Sequence, residues 1–420
     1  MAFIQIIIVT LILIKLMFEV FISRLSLKKI HQQRSELPQA ATNYMDSTVW
    51  QRCTDYTIAK TKFGRFENFV SSTFLILVLL ILLPWFYSQW EILGNFGLLC
   101  SSFLTTLFLL AIQQISLPFD WYRQFKLEES FNFNKQTTRL WLSDKIKELM
   151  LGLVLLGSVI YVLFFLFEKL SLLVGDYWWI LAFVALFLFQ ICLMVLWPRF
   201  ILPLFNKLTR LEDRELEDKL QALAQKTGFK SQEILVIDGS KRSSHSNAFF
   251  TGFGKFRKIV LYDTLLKQLN HEEIVAVVAH EIGHYRLGHI PKRLFVSFVL
   301  GLLYFWIIHQ LLVSSWFTTG LNLPSVFAGE LSPVLITVIL FGGAFTFWIS
   351  PLSNYFSHKH EYEADRFAAD SGDSRQSLLS ALRKLSNENL SYPLPHRLVS
   401  VFYHSHPSLP QRDLNLNPSG

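Results

Sequence analysis

Seven times along its 420 residues this chain runs through an apolar stretch close to 20 residues long, at 4–22, 69–87, 96–115, 149–167, 177–197, 294–313 and 334–356. That is the length an α-helix needs to cross a hydrocarbon core of about 30 Å. Inside lipid every backbone N–H and C=O must be satisfied within the segment or by a closed barrel, so runs of this length restrict the fold to membrane helices. Composition agrees: 51% of residues are hydrophobic and only 17% charged, with 39 Phe and 11 Trp. Water cannot cover that much apolar surface on a globule, which excludes a disordered, fibrous or ordinary soluble chain. The first run has no basic leader and no small-residue cleavage site, and Lys15 and Glu19 interrupt it, so it reads as a retained helix. Those two residues stand four apart on one face, either as a pair snorkelling to the interface or as a polar face toward an internal cavity.

Loop charge sets the orientation. Of 39 Lys and Arg, all but Lys15 and Lys169 fall in the loops after the first, third and fifth runs or beyond the seventh. Basic loops stay in the cytoplasm, so the N-terminus is expected outside and the C-terminus inside. The net charge of +7 is then a topological excess, and no nucleic-acid partner is needed to explain it. Cys53, Cys100 and Cys192 are scattered with no C-x-x-C pair, which argues against a disulfide framework or a thiolate metal site.

Two polar segments are long enough to fold outside the bilayer. The chain therefore divides into membrane helices one to five (1–205), a first polar segment (206–293), helices six and seven (294–356) and a second polar segment (357–420). In the first, an acidic-basic helical pattern over 210–226 precedes strand-like runs at 234–238, 245–253 and 258–263, with turns at Gly239-Ser240 and 252–254. A helix is predicted over 270–286. The second segment offers another helix, a Leu-rich amphipathic stretch at 377–385 and a Pro-punctuated end. Both segments are expected on the cytoplasmic side, where they can build one α+β unit although two spans separate them.

The sharpest motif is His280-Glu281-Ile282-Gly283-His284. Residues four apart share a helical face, so two imidazoles converge on one zinc ion while Glu281 reaches a water beside it. A catalytic zinc usually takes a third protein ligand. His289 is nine residues from His280, about 900° of helical turn, and so falls on the opposite face of a continuous helix. Glu361 and Asp365 share a face in Glu361-Tyr-Glu-Ala-Asp365, with Glu363 turned about 200° away. Glu361 can ligate while Asp365 accepts a hydrogen bond from a ligating imidazole. His358 and His360 are competing ligands.

The chain resembles the type I CAAX prenyl endopeptidases, seven-span zinc metalloproteases. The resemblance rests on H-E-x-x-H before the sixth span, E-x-x-x-D after the seventh, His245-Ser-Asn247-Ala248-Phe-Phe upstream, and His406-Pro407 followed by Arg412. It implies seven helices around a chamber, one zinc per chain held by His280, His284 and Glu361, Glu281 as general base, and Asp365 behind the ligands. It further implies an edge strand at Asn247 and Ala248 that pairs with extended peptide, and His406 and Arg412 beside the substrate. There His406 can stabilise an oxyanion, and Arg412 can brace the site or meet a carboxylate. Pro410 and the Asn-Pro-rich ending leave little room for a terminal helix, which departs from the family pattern.

The expected function is hydrolysis of a peptide bond near the C-terminus of prenylated CAAX-type proteins, with Glu281 moving the proton. The implied partners are the bilayer and a prenylated or extended peptide, with no oligomer required. Two other classes compete: a quality-control metalloprotease without prenyl specificity, and a transporter or receptor carrying a metal site. An intact Glu281 argues against the last, since a structural zinc has no use for a base. The chain's length and the lack of a dilysine tail point to a bacterial cell membrane rather than the endoplasmic reticulum.

Overall fold

The computed structural model describes residues 2–94, 96–229, 233–251, 258–371 and 375–417. Long helices dominate: α1 (Phe3–Gln33), α2 (Ser47–Leu93), α3 (Leu98–Glu128), α4 (Thr138–Val174) and α5 (Trp178–Phe200) precede the first polar segment. Among the described residues, six helical runs are long and apolar enough to cross a bilayer. One of them, Thr138–Phe205, is 68 residues long, roughly 100 Å if straight, which is some three times the hydrocarbon thickness. It folds back at Gly175, whose backbone takes φ 56° and ψ −129°, a conformation that suits glycine alone. α4 and α5 then pack on each other, and six runs make seven crossings. Phe69, Leu77, Ile81 and Trp85 of α2 lie about half exposed, a surface that suits lipid and not water.

Polar contacts register the spans. Tyr87 and Thr105 both meet Ser332 through hydroxyl hydrogen bonds of 2.8 and 2.7 Å, tying α2, α3 and the last span together. Near the N-terminus, Gln5 donates to the carbonyls of Leu79 and Leu321.

A short four-stranded sheet carries the first polar segment: β1 (Leu208–Arg210), β2 (Glu233–Ile237), β3 (Ala248–Thr251) and β4 (Lys258–Tyr262), in the order β1-β2-β4-β3. β2 and β4 run parallel, while β1 and β3 flank them antiparallel. The expected 210–226 helix begins later, as α6 (Arg214–Thr227), because Asp213 caps it by accepting from Leu216 N–H. The residues before that cap pair as β1 instead, an element too short and polar to show as a periodic run. The strand expected at 245–253 starts only at Ala248, since His245 and Ser246 commit their side chains to Asn389 and Gln268. The turn expected at 252–254 lies outside the described residues.

Next comes α7 (His271–Arg286), opened by a reciprocal cap in which Asn270 and Glu273 satisfy each other's backbone N–H. Gly288, at φ 69°, ends that turn and starts α8 (His289–Val313). The seventh crossing is α9 (Leu331–Thr346), joined by a single tight turn to α10 (Ser350–Ser371). α11 (Arg375–Glu388), α12 (Arg397–Tyr403) and α13 (Leu409–Leu416) close the chain.

α13 corrects the reading of the tail. Pro410 sits in the first turn, where its missing N–H is no loss and its fixed φ suits a helix, and Ser408 with Gln411 forms the cap. Proline here starts a helix rather than preventing one.

The two polar segments share a single core. Leu216 and Leu220 of α6, Ile259 and Leu261 of β4, and Ala279 and Ile282 of α7 pack with Ala368 of α10, Leu378 of α11 and Leu416 of α13. Ser380 and Lys384 of α11 both bind the Glu273 carboxylate, at 2.6 and 2.8 Å, which fixes α11 to the start of α7.

Candidate active site

α7 packs lengthwise on α10, and Gly283 faces the Ala364 backbone with no room for a side chain between them. The motif residues of both helices are thereby brought together. His280 Nε2 lies 3.2 Å from His284 Nε2 and 3.4 Å from Glu361 Oε2, and His284 Nε2 lies 3.2 Å from Glu361 Oε1. A tetrahedral ion with ligand bonds of about 2.0–2.1 Å spaces its ligand atoms about 3.3–3.4 Å apart. The three side chains therefore outline one face of such a site, with a fourth position left over. Glu361 is 1% exposed, and its Oε2 completes no hydrogen bond even with His406 Nδ1 at 2.8 Å, as suits an oxygen shaped for a cation. The residues fit a divalent metal.

Behind the triad, His280 Nδ1 lies 2.8 Å from Asp365 Oδ1. Arg412 closes its guanidinium fork on both oxygens of that carboxylate, Nε donating to Oδ2 at 2.8 Å. Of the two tasks open to Arg412, this geometry supports bracing, and α13 carries the residue there. Burial would lower the His280 imidazole, but the hydrogen bonds it donates to the Asp365 and Glu361 carboxylates outweigh it and hold the group up at about 9. Burial pushes the Glu281 carboxyl above its ordinary value, against the pull of His280, His284 and His406 nearby. A carboxylate so poised is more basic, which suits proton abstraction.

Ala248 opens the edge strand β3. Asn247 C=O accepts from Tyr262 N–H at 3.1 Å, so strand alternation turns the N–H and C=O of Ala248 toward the free edge. The Asn247 side-chain oxygen meets that outward N–H at 2.8 Å. β3 lies against α7, which puts its edge on the side of the helix that carries His280 and His284.

Of the competing ligands, His358 Nε2 bonds to the His404 carbonyl, away from the triad. His360 groups instead with His289 and Glu363. His289 is 1% exposed, its Nδ1 is 2.9 Å from His284 Nδ1, and its Nε2 is 2.9 Å from Glu363 Oε2. The angular argument that set His289 aside assumed an unbroken helix. Gly288 breaks it, and a glycine directly before a histidine was the signal for that break. His289 nonetheless contacts a ligand's far side and is no member of the triad.

A cavity of about 840 Å³ runs from His406 and Arg412 to the membrane helices, where Glu19 and Val20 of α1 and Lys60 and Arg65 of α2 line it. Glu19 pairs with Lys15 at 3.7 Å and is 8% exposed, the arrangement of a polar face toward an interior.

A family model for the CAAX prenyl protease N-terminal region, with five membrane helices, matches residues 26–207, and one for peptidase family M48 matches 210–417. The chain belongs to the CAAX prenyl protease family. It is 34% identical to CAAX prenyl protease 1 of Saccharomyces cerevisiae, over 94% of this chain and 91% of that one. The Homo sapiens homologue of that protease is 28% identical, over 92% and 89% of the two chains. The crystal structure of S. mikatae Ste24p superposes with a TM-score of 0.85 at 30% identity, covering 98% of this chain and 99% of that one. Membership makes this protein a multi-pass membrane metalloprotease of the M48 type.

Proposed function

We propose that this protein hydrolyses a peptide bond near the C-terminus of prenylated CAAX-type polypeptides, using one zinc ion held by His280, His284 and Glu361. The observation that carries the reading is the triad of ligand atoms 3.2–3.4 Å apart, with His406, 2.8 Å from Glu361, lining a cavity that reaches the membrane helices. A zinc ion there supplies Lewis acidity, which lowers the pKa of water and polarises a carbonyl. Glu281 takes the proton of the attacking water and returns it to the departing amine. His406, exposed beside Glu361, donates to the developing oxyanion. Asp365, clamped by Arg412, keeps the His280 ring turned toward the triad. The outward N–H and C=O of Ala248 pair with extended substrate once Asn247 gives way, a recognition that reads backbone more than side chain. The apolar wall contributed by Val20 and Ile22 of α1 and Leu382 and Leu385 of α11 suits an isoprenoid chain entering from lipid.

The excess of Lys and Arg in the loops on this side supports a cytoplasmic position for the site. In a background without Cys100 and Cys192, an impermeant thiol reagent should reach Leu172→Cys from outside and Glu212→Cys only from within. The reverse pattern refutes the orientation. For the substrate, purified protein is given one peptide in farnesylated and bare forms, with and without 1,10-phenanthroline. Cleavage should need metal and favour the farnesylated peptide. Equal turnover of both peptides transfers the reading to a quality-control protease.

A further inference from the structure

The two imidazoles of the triad are supported differently. His280 Nδ1 faces a carboxylate directly, Asp365 Oδ1 at 2.8 Å. His284 Nδ1 faces a third imidazole, His289 Nδ1 at 2.9 Å, and only the far nitrogen of that ring reaches a carboxylate, Glu363 Oε2 at 2.9 Å. We propose that His289 and Glu363 are positioning residues, a hydrogen-bonded file that fixes the tautomer and ring orientation of His284 toward the metal.

Proton counting leaves one consistent arrangement. For His284 Nε2 to offer its lone pair to a metal, the ring's proton must sit on Nδ1, which makes Nδ1 a donor. Two nitrogens 2.9 Å apart share one proton, so His289 Nδ1 is the acceptor. The proton of neutral His289 is then on Nε2, where it donates to the Glu363 carboxylate, an acceptor only. Donation therefore runs from His284 through His289 to Glu363. If His289 carried its proton on Nδ1, it would press a donor against His284 and turn that ring's lone pair away from the metal.

Local geometry shows how the file is built. Along a continuous helix His289 would stand about 500° round from His284, some 140° out of phase, and could not face it. Gly288, with φ 69°, resets the direction and swings the ring back under the ligand. The ring is 1% exposed, so both nitrogens depend on protein partners.

His360 completes a group of potential ligand atoms with His289 and Glu363. A second ion there is disfavoured by ring geometry: His289 and His360 stack with centroids 4.1 Å apart and planes 15° from parallel. Lone pairs lie in the ring plane, so stacked rings aim them side by side rather than at one point.

The inference rests on the proposed zinc triad, and the test separates the two. Zinc affinity is measured on the full chain in detergent by chelator competition, with stoichiometry and the visible spectrum of the cobalt form recorded alongside. His280→Ala should abolish binding; if it does not, the triad itself is wrong. His289→Leu should weaken zinc about 10- to 100-fold, the usual effect of losing an outer partner of a ligating histidine, and shift the cobalt spectrum. Glu363→Ala should cost about tenfold, while Glu363→Gln, whose amide oxygen still accepts from Nε2, should stay within about threefold of wild type. That pair decides the matter if His289→Leu fails to fold, because Glu363 is only partly buried. His360→Ala should bind one zinc normally. Unchanged affinity in His289→Leu and Glu363→Ala overturns the proposal. So do two ions per chain falling to one in His360→Ala, which would assign the cluster to a second metal.

Discussion

Adding one methyl group at Gly283 tests whether the helix contact sets the metal geometry. A Cβ there would lie 3.1 Å from Ala364 Cα, 3.1 Å from Phe367 Cδ1 and 3.2 Å from the Ala364 carbonyl oxygen. Carbon atoms rest comfortably at about 3.5–4.0 Å, so the shortfall is roughly 0.4–0.9 Å. The Phe367 ring can swing aside, but Ala364 Cα and C=O belong to the α10 backbone, three residues after Glu361 and one before Asp365. α10 must therefore back away from α7 by roughly half an ångström. Overpacking of this kind costs about 1–3 kcal/mol, and alanine returns about 0.8–1 kcal/mol of helix propensity. Net destabilisation in Gly283→Ala should be about 0–2 kcal/mol, so the protein should fold. The metal should suffer more, because ligand distances tolerate only about 0.2 Å of error. We expect zinc affinity to drop at least about tenfold while the melting temperature of the metal-free protein barely moves. Gly342→Ala in α9, where nothing lies within 4 Å of the added carbon, is the control and should bind zinc normally. Wild-type zinc affinity in Gly283→Ala would refute the claim that this contact sets the ligand spacing.

Glu281→Gln should keep its zinc and lose about 10²- to 10⁴-fold in kcat, since a base and no ligand is removed; loss of metal in parallel would reverse that assignment. His280 is held at about 9 in the protein alone, and zinc requires the neutral ring, so below that value the ion must displace a proton. Apparent affinity should thus rise about tenfold per pH unit up to about pH 9 and then level off, and calorimetry at pH 7 in buffers of different ionisation enthalpy should find about one proton released; no release contradicts it. Arg412→Lys replaces a two-pronged clamp on Asp365 with a point charge, and zinc affinity should fall about tenfold, with equal affinity counting against the brace. Ala248→Pro removes an outward donor but no bond to β4, so stability should hold while kcat/KM falls about 2- to 12-fold, the worth of one hydrogen bond; an unaffected kcat/KM removes the edge from substrate binding.

What the sequence revealed was whatever depends on local spacing. Runs of apolar residues announce membrane helices without any knowledge of neighbours, and His280 with His284 share a face because they are one turn apart. Asp365 was legible beside Glu361 for the same reason. The failures have three physical origins. Rules of phase hold only along unbroken helix, so the conformation of Gly288 brings His289 behind His284 where angular counting does not put it, although His289 stays outside the triad, and Pro410, which reads as a breaker, is in the first turn a starter. Contacts distant in sequence leave no local trace: that the Arg412 fork belongs to Asp365, or that β4 crosses between β2 and β3, follows only from packing. The short β1 strand shows a third difficulty, because three residues are too few for any period to be read.

The division of the metal site between α7 and α10 also bears on how the protein is made. Translation delivers His280 and His284 well before Glu361, with two membrane crossings still to be inserted between them. A nascent chain halted in that interval holds the proposed base and two imidazoles but only two of the three proposed ligands. Even after Glu361 emerges, Asp365 waits for Arg412, which α13 brings from the far end of the second polar segment. Hydrolytic competence is therefore a late event in biogenesis. On the proposed assignment of ligands and brace, it arrives only when insertion is complete and the last helix has docked, and a truncated or half-inserted copy should lack protease activity in the membrane that is building it.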